Sequence, residues 1–593
     1  MAALADVLAW SFAHPFTTGF ACTALALTAF ATYWLYRIFV APLFSPLRGV
    51  PGPPSEHPLW GNLRPLIDED PGRAHADWSE KYGGVVRYRG LLGGDRLVLT
   101  DPAALNHVLT ANTYDYAKPD EVRGDLAMVL GKGVVFAEGE AHRRQRRLMN
   151  PAFAPSNLKA MTPGFFSLAH QLRDIWAAKI TSGEIDQRAW KDEQTAAAYA
   201  SSSREGEAVI EVSDWLTRLT LDAIGKAGFG YDFRALSLES DALAGAFASL
   251  FSPRGDPGHP HPSTILINNI IGSCLRSLPT LKLAKLFPNE RLKAIYDAFH
   301  TLEVESRKII EAKREKVAQE DDDGEPKKDL ISILLRNAEK EKLDPEELRG
   351  QLTTFLFAGH ETISNSLSWV LWALVCAPEK QDRLRREVRT ARRKALADGR
   401  DELNSDELNS LEYLDAVARE ILRLEPALSS TPRVAQRTDL IPLSVPVPSA
   451  TDPSILITHI PVQKGQMISI GVYAANRNKA IFGEDADEFR PERWLDQENK
   501  IEPKGGGGWS GLMTFLAGPR ACIGYKLALL EFKAVLSVLI DTFEFDKRDP
   551  DIQIIHRAQV ITRPFVAGET ELGTRMPLKI RLARRDEDEE ADG

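Results

Sequence analysis

Residues 7–36 contain no lysine, arginine, aspartate or glutamate, and residues 16–36 are mostly apolar. A bilayer-spanning helix needs about 20 apolar residues, so this run is long enough. Arg37 and Arg48 come after it, whereas Asp6 is the charge before it. The basic flank belongs in the cytosol, which puts the N-terminus in the lumen. A cleaved signal peptide would want a basic start and a shorter apolar core. The pattern therefore predicts a retained anchor over 15–36 behind a short lumenal tail, 1–14. Further on, the period changes. Residues 84–89 and 95–100 read as two short strands around Gly93-Gly94, and residues 467–470 as another after Gly465. Residues 215–230 are amphipathic and predict a core helix, and 526–541 is strongly helical. Leu348, Leu352, Phe355, Ile363, Leu367, Val370 and Leu374 recur at helical spacing. Asp344 can cap that run, Pro345 suits its first turn, and Glu347 stands at the capping-box position. Pro378 ends it, giving roughly 33 residues and about 50 Å of helix.

Between these elements lie the breakers. Val50-Pro51-Gly52-Pro53-Pro54 predicts a stiff, proline-rich hinge over 37–54. Residues 184–207 are polar and repetitive and predict an exposed insertion. Residues 252–263 are rich in proline, glycine and histidine and read as a loop; 319–329 reads as a solvated loop. Residues 505–508 are all glycine and predict a flexible approach to the loop that carries Cys522.

Composition narrows the classes. The 593 residues are 44% hydrophobic and 26% charged, as a large globular chain should be. Net charge is −10, with an acidic tail at 586–593, so nothing favours nucleic acid. The cysteines (Cys22, Cys274, Cys376, Cys522) lie far apart and form neither a zinc pattern nor a disulfide framework. No Asn-x-Ser/Thr sequon occurs.

Chemistry concentrates in two places. Residues 515–524 read Phe-Leu-Ala-Gly-Pro-Arg-Ala-Cys-Ile-Gly. Gly518 and Pro519 force a tight turn, and Cys522 sits where a loop enters a helix. Unpaired N–H groups and the helix dipole there favour a thiolate, a natural axial ligand for haem iron. Most lone cysteines are only small buried hydrophobes. The second place is Ala358-Gly359-His360-Glu361-Thr362, in the middle of the long helix. Small residues on one face leave room for a diatomic gas, and close helix packing would use them equally well. In Glu420-Ile421-Leu422-Arg423 an acid and a base stand three apart in an apolar setting, which favours burial.

These stretches resemble the cytochrome P-450 monooxygenases, in family order over roughly residues 50–582. The resemblance implies a mainly α fold with a smaller β-rich part, behind one transmembrane helix, as in membrane-bound fungal-type microsomal members. The catalytic domain would span 55–585. It implies haem b, with Cys522 as the proximal thiolate and metal ligand, Phe515 near the sulfur, and Gly518 and Gly524 shaping the loop. Arg520, Arg433, Arg146 and His142 would contact the propionates, although many members carry tryptophan where this chain has His142. Ala358 and Gly359 would line the oxygen site, with Thr362 holding and relaying protons and Glu361 as their source. Glu420, Arg423 and Arg493, the last from Phe489-Arg490-Pro491-Glu492-Arg493-Trp494, would form a buried triad. Arg143, Arg144 and Arg147 would help dock an acidic electron donor. Residues 560–564 would return to line a pocket, and Leu428, Ser429 and Thr431 would face it. The implied activity is insertion of one oxygen atom from O2 into an apolar small molecule. NADPH and flavin would act only through a reductase partner. The setting would be the endoplasmic reticulum membrane and specialised metabolism, such as terpenoid oxidation. Two rivals stay open: a haem-thiolate isomerase or peroxygenase, and a membrane haem sensor or electron carrier.

Overall fold

The Asp344 carboxylate accepts a hydrogen bond from the Glu346 N–H at 2.9 Å and starts a 31-residue helix, Pro345–Val375. This is the long helix read from the periodicity. The capping box is not made. Glu347 instead reaches Nη2 of Arg144 at 2.5 and 2.6 Å and accepts from Nε2 of Gln145 at 3.1 Å. A charge-assisted pair with a guanidinium outweighs one bond to a backbone N–H.

The computed structural model describes residues 15–202, 206–238, 290–323, 329–340, 344–496 and 508–584, with 243, 245, 246 and 264 between them. The first 14 residues, the stretch 252–263, glycines 505–507 and the acidic tail lie outside the described residues. The main helices are α1 (Pro15–Leu35), α2 (Gly139–Met149), α3 (Pro155–Ser182), α4 (Glu193–Ser202), α5 (Val212–Ile224), α6 (Glu290–Asp323), α7 (Pro345–Val375), α8 (Pro378–Ala397), α9 (Glu412–Leu424) and α10 (Tyr525–Thr542). Helix α5 packs along α7, and α10 along α3. Trp176 of α3 and Trp215 of α5 are among the largest fully buried side chains of this helical core.

A smaller β part sits beside the helices. Strands β1 (Val85–Arg89) and β2 (Asp95–Leu99) form the expected hairpin, joined by β3 (Tyr116–Ala117), β5 (Thr431–Ala435) and β8 (Met467–Ile470) in the order β1-β2-β8-β5-β3. The β2–β8 pair is parallel and the others antiparallel. Strand β4 (Glu207–Glu211) joins β12 (Pro577–Leu582) and β9 (Phe543–Lys547). Two separate hairpins complete the set, β6 (Asp439–Pro448) with β7 (Leu456–Val462), and β10 (Ile554–Ala558) with β11 (Thr562–Val566). The fold is thus mainly helical with smaller sheets.

One loop reading needs correction and two gain detail. Residues 184–207 are largely exposed, as read, and carry structure of their own: α4 lies inside them, Ala196 is buried, and Trp190 packs on Tyr199 at 4.8 Å. Apolar residues embedded in the polar run anchor it. Residues 319–323 continue α6 to Asp323, because 34 residues of otherwise good helix formers outvote a few acids at the end. Residues 37–54 do not stand free. Leu47 and Val50 are buried with Ile441, Val447 and Ile460, and the Arg87 N–H donates to the Pro51 carbonyl at 2.8 Å.

Glu420 of α9 is fully buried and carries no bare oxygen. Arg423 donates to both its oxygens, at 2.8 and 3.0 Å, and Arg493 donates to one at 2.8 Å. The Trp494 indole N–H and the Arg490 backbone N–H complete the set, at 2.9 and 3.0 Å. Burial opposes ionisation, yet the hydrogen bond from Arg423 and the two guanidinium charges hold the carboxyl below its usual range. The spare guanidinium N–H groups donate to the carbonyls of Asn476, Ala486, Glu488, Phe482 and Asp485. The triad therefore fastens an irregular segment that has no ladder of its own. Asn476 carries the link onward: its side chain accepts from the Met513 N–H at 2.8 Å and donates to the Thr514 hydroxyl at 2.9 Å. Those residues lead directly into the cysteine loop.

Glu420→Ala leaves two buried guanidiniums without their carboxylate. The expected cost is about 3–5 kcal/mol of unfolding free energy, read as a lower urea midpoint at unchanged slope. Glu303→Ala, which breaks an exposed pair with Arg307 on α6, should leave the midpoint nearly unmoved.

Candidate functional site

Gly518 has φ 68°, and a Cβ there would lie 2.0 Å from the Leu109 carbonyl oxygen. Only glycine fits, so the turn ahead of Cys522 is set by its own chemistry. The Cys522 N–H donates to the Phe515 carbonyl at 2.8 Å and closes the loop. The Phe515 ring meets Trp509 edge-on at 5.5 Å and Tyr525 at 5.9 Å. Gly524 is the N-cap of α10, and a Cβ there would make only ordinary contact with Phe153.

Cys522 has accessible surface, yet protein crowds it closely on every side that is not open. Burial pushes its thiol pKa up; the Gly524 N–H and the Arg146 charge pull the other way and do not win. The helix start alone therefore does not make the expected thiolate. Desolvation of a lone anion outweighs a partial dipole charge, and a coordinated metal would remove the proton outright.

Beside the loop, cations outnumber anions. Arg433 of β5 is 2% exposed and donates only to the Thr431 hydroxyl and the Pro432 carbonyl, at 2.9 and 2.8 Å. Burial, with the nearby Arg520 charge, pushes it down to about 10. Arg520 pairs with Glu138 and donates to the carbonyls of Thr113 and Tyr116. Lys118 also pairs with Glu138, at 2.7 Å, and burial lowers it to about 8. His142 accepts from or donates to the Tyr114 hydroxyl at 3.0 Å; burial and the Arg520 charge lower it to about 4, so the ring is neutral. Arg146 donates to the Ala521 carbonyl at 2.5 Å, next to Cys522. Glu138 is the one carboxylate acting on both Arg433 and Lys118 among the described residues. The Nε atoms of Arg433 and Arg520 are buried with no partner. Buried cations without counter-charge are costly. A flat group bearing two carboxylates, with an iron for Cys522, fits this donor set.

Most of α7 is buried, but Ala358 and Thr362 have accessible surface. The Thr362 hydroxyl donates to the Ala358 carbonyl at 2.8 Å. Gly359 lies on another side: a Cβ would come within 2.6 Å of the Ile224 side chain, so this glycine lets α5 approach α7. Gly359 also keeps some accessible surface beside Ala358, so it packs closely on one side and stays partly open on another. His360 is buried, with Nδ1 2.6 Å from the Leu356 carbonyl. Glu361 turns away from Thr362's opening into a buried ion pair with Arg563 of β11, and lies 3.2 Å from His360 Nε2. Burial would raise its carboxyl, yet the hydrogen bond and charge of His360 and the Arg563 guanidinium hold it below the usual value.

Sequence reasoning missed Lys118, Glu138, Tyr114 and the pairing of Arg563. Lys118 and Glu138 carry no signal, because their meaning comes from Arg433 and Arg520, hundreds of residues away. Arg563 did carry one: it is the sole charge in the fully buried strand Thr-Arg-Pro-Phe-Val, and a buried charge must find a partner. The arginines read as a donor-docking patch are partly engaged already. Arg144 pairs with Glu347, and Arg143 pairs with Glu140 and covers the Tyr114 ring at 4.1 Å. Arg147 is exposed.

Comparison with known proteins agrees with this construction. The cytochrome P-450 family model matches residues 51–565. Cytochrome P-450 monooxygenase 128 of Postia placenta is 35% identical over 576 residues, covering 94% of this chain and 96% of the relative. Cytochrome P-450 monooxygenase 205 of the same organism is also 35% identical, covering 91% and 93%. Cytochrome P-450 monooxygenase claW of Ampulloclitocybe clavipes is 33% identical, covering 89% and 92%. With the model matched across the helical core, the β part and the cysteine loop, the chain belongs to the cytochrome P-450 family, as a monooxygenase whose cofactor is haem b.

Proposed function

We propose that the chain oxidises an apolar small molecule at a haem-thiolate centre held by Cys522, on the cytosolic side of the endoplasmic reticulum membrane. Electrons come from NADPH through a flavoprotein reductase, and a specialised-metabolite pathway, such as terpenoid oxidation, supplies the substrate. The observation that carries the site assignment is the surplus of buried cations beside the Cys522 loop. Haem b, when bound, supplies an iron that activates dioxygen. Cys522 Sγ is the protein ligand. Arg433 and Arg520, whose Nε atoms lack partners, hold the propionates, with Arg146 and neutral His142 at the same edge.

The remaining work is proton handling. One oxygen atom enters the substrate and the other leaves as water, so two protons must arrive together with two electrons. Thr362 presents its hydroxyl on the open part of α7, so its Oγ is the last protein atom on the path. Glu361, behind it, takes up a proton from solvent and passes it toward Thr362. Arg563 and His360 favour the ionised carboxylate and so return it to that form after each delivery. Helix α1 is the anchor: the described residues contain one stretch long and apolar enough to cross a membrane, Thr23–Phe44. A peroxygenase would need no such reductase-fed proton path.

The direct test is NADPH-dependent oxygen consumption by the full-length chain with a flavoprotein reductase. A peroxygenase or an electron carrier would show no reductase-coupled product. Cys522→Ser should abolish the thiolate-type Soret band of the reduced carbon-monoxide complex and drop turnover to background. Thr362→Ala should keep that band and still consume oxygen, while product formation falls by about 10²-fold and peroxide accumulates. Arg563→Met removes a positive charge from beside Glu361, which raises the carboxyl's pKa. The acidic limb of the turnover profile should therefore move to higher pH, and Arg563→Lys should restore it.

A further inference from the structure

Residues 107–118 run as a strap between the β part and the Cys522 loop. The Leu109 carbonyl oxygen presses on the Gly518 turn ahead of Cys522. The carbonyls of Thr113 and Tyr116 accept from the Arg520 guanidinium, the second at 3.2 Å. The Tyr114 ring lies against that guanidinium at 5.0 Å, and its hydroxyl is 3.0 Å from Nδ1 of His142. The strap therefore meets both the turn before the cysteine and the cationic edge beside it.

Its own backbone gives it little hold. It begins in one wide turn, His107–Ala111, closed by the Asn112 N–H donating to the His107 carbonyl at 2.9 Å. Turns of this i→i+5 kind are rare and short. The Thr113 hydroxyl adds bonds inside the strap, to the Leu109 carbonyl and to the Thr110 carbonyl at 3.1 Å. Beyond it, β3 pairs with β5 over two residues, Tyr116 with Ala435 and Ala117 with Val434.

The anchor comes from β6. Asp439 is its first residue, and Oδ2 of that side chain reaches both ends of the strap. It accepts from the Tyr116 hydroxyl at 2.9 Å and lies 3.0 Å from Nε2 of His107. With the ring proton on Nε2, Nδ1 is left to accept from the Asn112 amide at 3.2 Å, so one tautomer makes both bonds. The His107 and Tyr116 rings meet edge-on at 6.1 Å. Oδ1 accepts from the Leu440 N–H at 2.8 Å, which fixes the carboxylate to its own strand. Burial opposes ionisation of Asp439, yet the hydrogen bonds of His107 and Tyr116 hold its carboxyl below the usual range. Tyr116 is among the largest fully buried side chains, so removing its acceptor strands a hydroxyl in the interior.

We propose that Asp439 is a positioning residue for the haem site: through Tyr116 and His107 it holds the strap whose carbonyls set Arg520 and the turn before Cys522. This rests on the reading of Cys522 as the haem ligand. Arg520 is then in place before a propionate arrives, and less ordering is left to be done when the cofactor binds. The loss of Asp439 should act on cofactor retention and on the thiolate bond, and not only on folding.

The test compares full-length holoenzymes carrying Asp439→Leu, Asp439→Asn, Tyr116→Phe, and Asp439→Leu with Tyr116→Phe together. Ile180→Ala, in the α3 core, is the control for general destabilisation. One readout is the rate of haem transfer to excess apomyoglobin. The other is the share of the reduced carbon-monoxide complex that keeps the thiolate-type Soret band. Asp439→Leu should lose haem about tenfold faster and shed part of the band. Asp439→Asn keeps an acceptor for the Tyr116 hydroxyl and should recover most of both. The double variant should lose haem no faster than Asp439→Leu, because the two residues act as one unit. Additive effects overturn the proposal, and so does haem loss from Asp439→Leu at the rate of Ile180→Ala. If Asp439→Leu takes up no haem, Tyr116→Phe decides, since it removes one oxygen and keeps the ring; haem loss no faster than in Ile180→Ala overturns the proposal. Cys522→Ser separates the two readings. If it keeps the thiolate-type band, the ligand assignment falls and the proposal with it. If it loses the band while the Asp439 and Tyr116 variants match Ile180→Ala, the proposal alone falls.

Discussion

One carboxylate, that of Glu420, holds the part of the molecule that has least structure of its own. The segment from Asn476 to Trp494 contains only single-turn helices, so its backbone groups cannot satisfy one another. Arg423 and Arg493 satisfy them, and both can be buried only because Glu420 cancels charge between them. The net energy of such a cluster is small, since desolvation nearly offsets attraction. Its value lies in geometry. It fixes Asn476, which fixes Met513 and Thr514, which fix the start of the loop that ends in Cys522. The position of Cys522 is thus decided from behind, by polar bonds in a dry interior.

Helix α7 is shaped by packing. Helix α7 can open at Ala358 and Thr362 because it is held firmly elsewhere, and Gly359 lets Ile224 of α5 press within contact distance. The same short string therefore has two jobs on two sides of one helix. Glu361 adds a third: it joins Arg563 in a buried ion pair, which ties the C-terminal hairpin β10–β11 to α7. Elsewhere, Arg433, Arg520 and Lys118 crowd a single carboxylate, that of Glu138, an arrangement that a dianionic cofactor would relieve.

The N-terminal region connects this interior to its setting. Leu47, Val50 and Pro51 are built into the β part, so whatever position α1 takes is transmitted to β6 and β7. The hinge is stiff from its prolines and also docked by its apolar residues.

Local pattern alone determined a good deal. The long helix with its Asp344 cap, the β1–β2 hairpin, the apolar N-terminal run and the glycine-forced turn before Cys522 all come from periodicity, capping and steric rules acting over a few residues. Those rules do not depend on distant partners, so they can be read from the chain. They cannot contain the choice among partners far apart in sequence. Glu347 abandoned its capping box for Arg144, about 200 residues earlier. Glu361 left Thr362's side for Arg563, about 200 residues later. Cys522 kept a raised pKa because burial, set by the whole fold, outweighed its own helix end. At Glu347 a local bond lost to a charge that only folding brings near, and at Glu361 such a charge sets where the carboxylate goes, since a low-dielectric interior strengthens that charge. At Cys522 the same interior acted through desolvation.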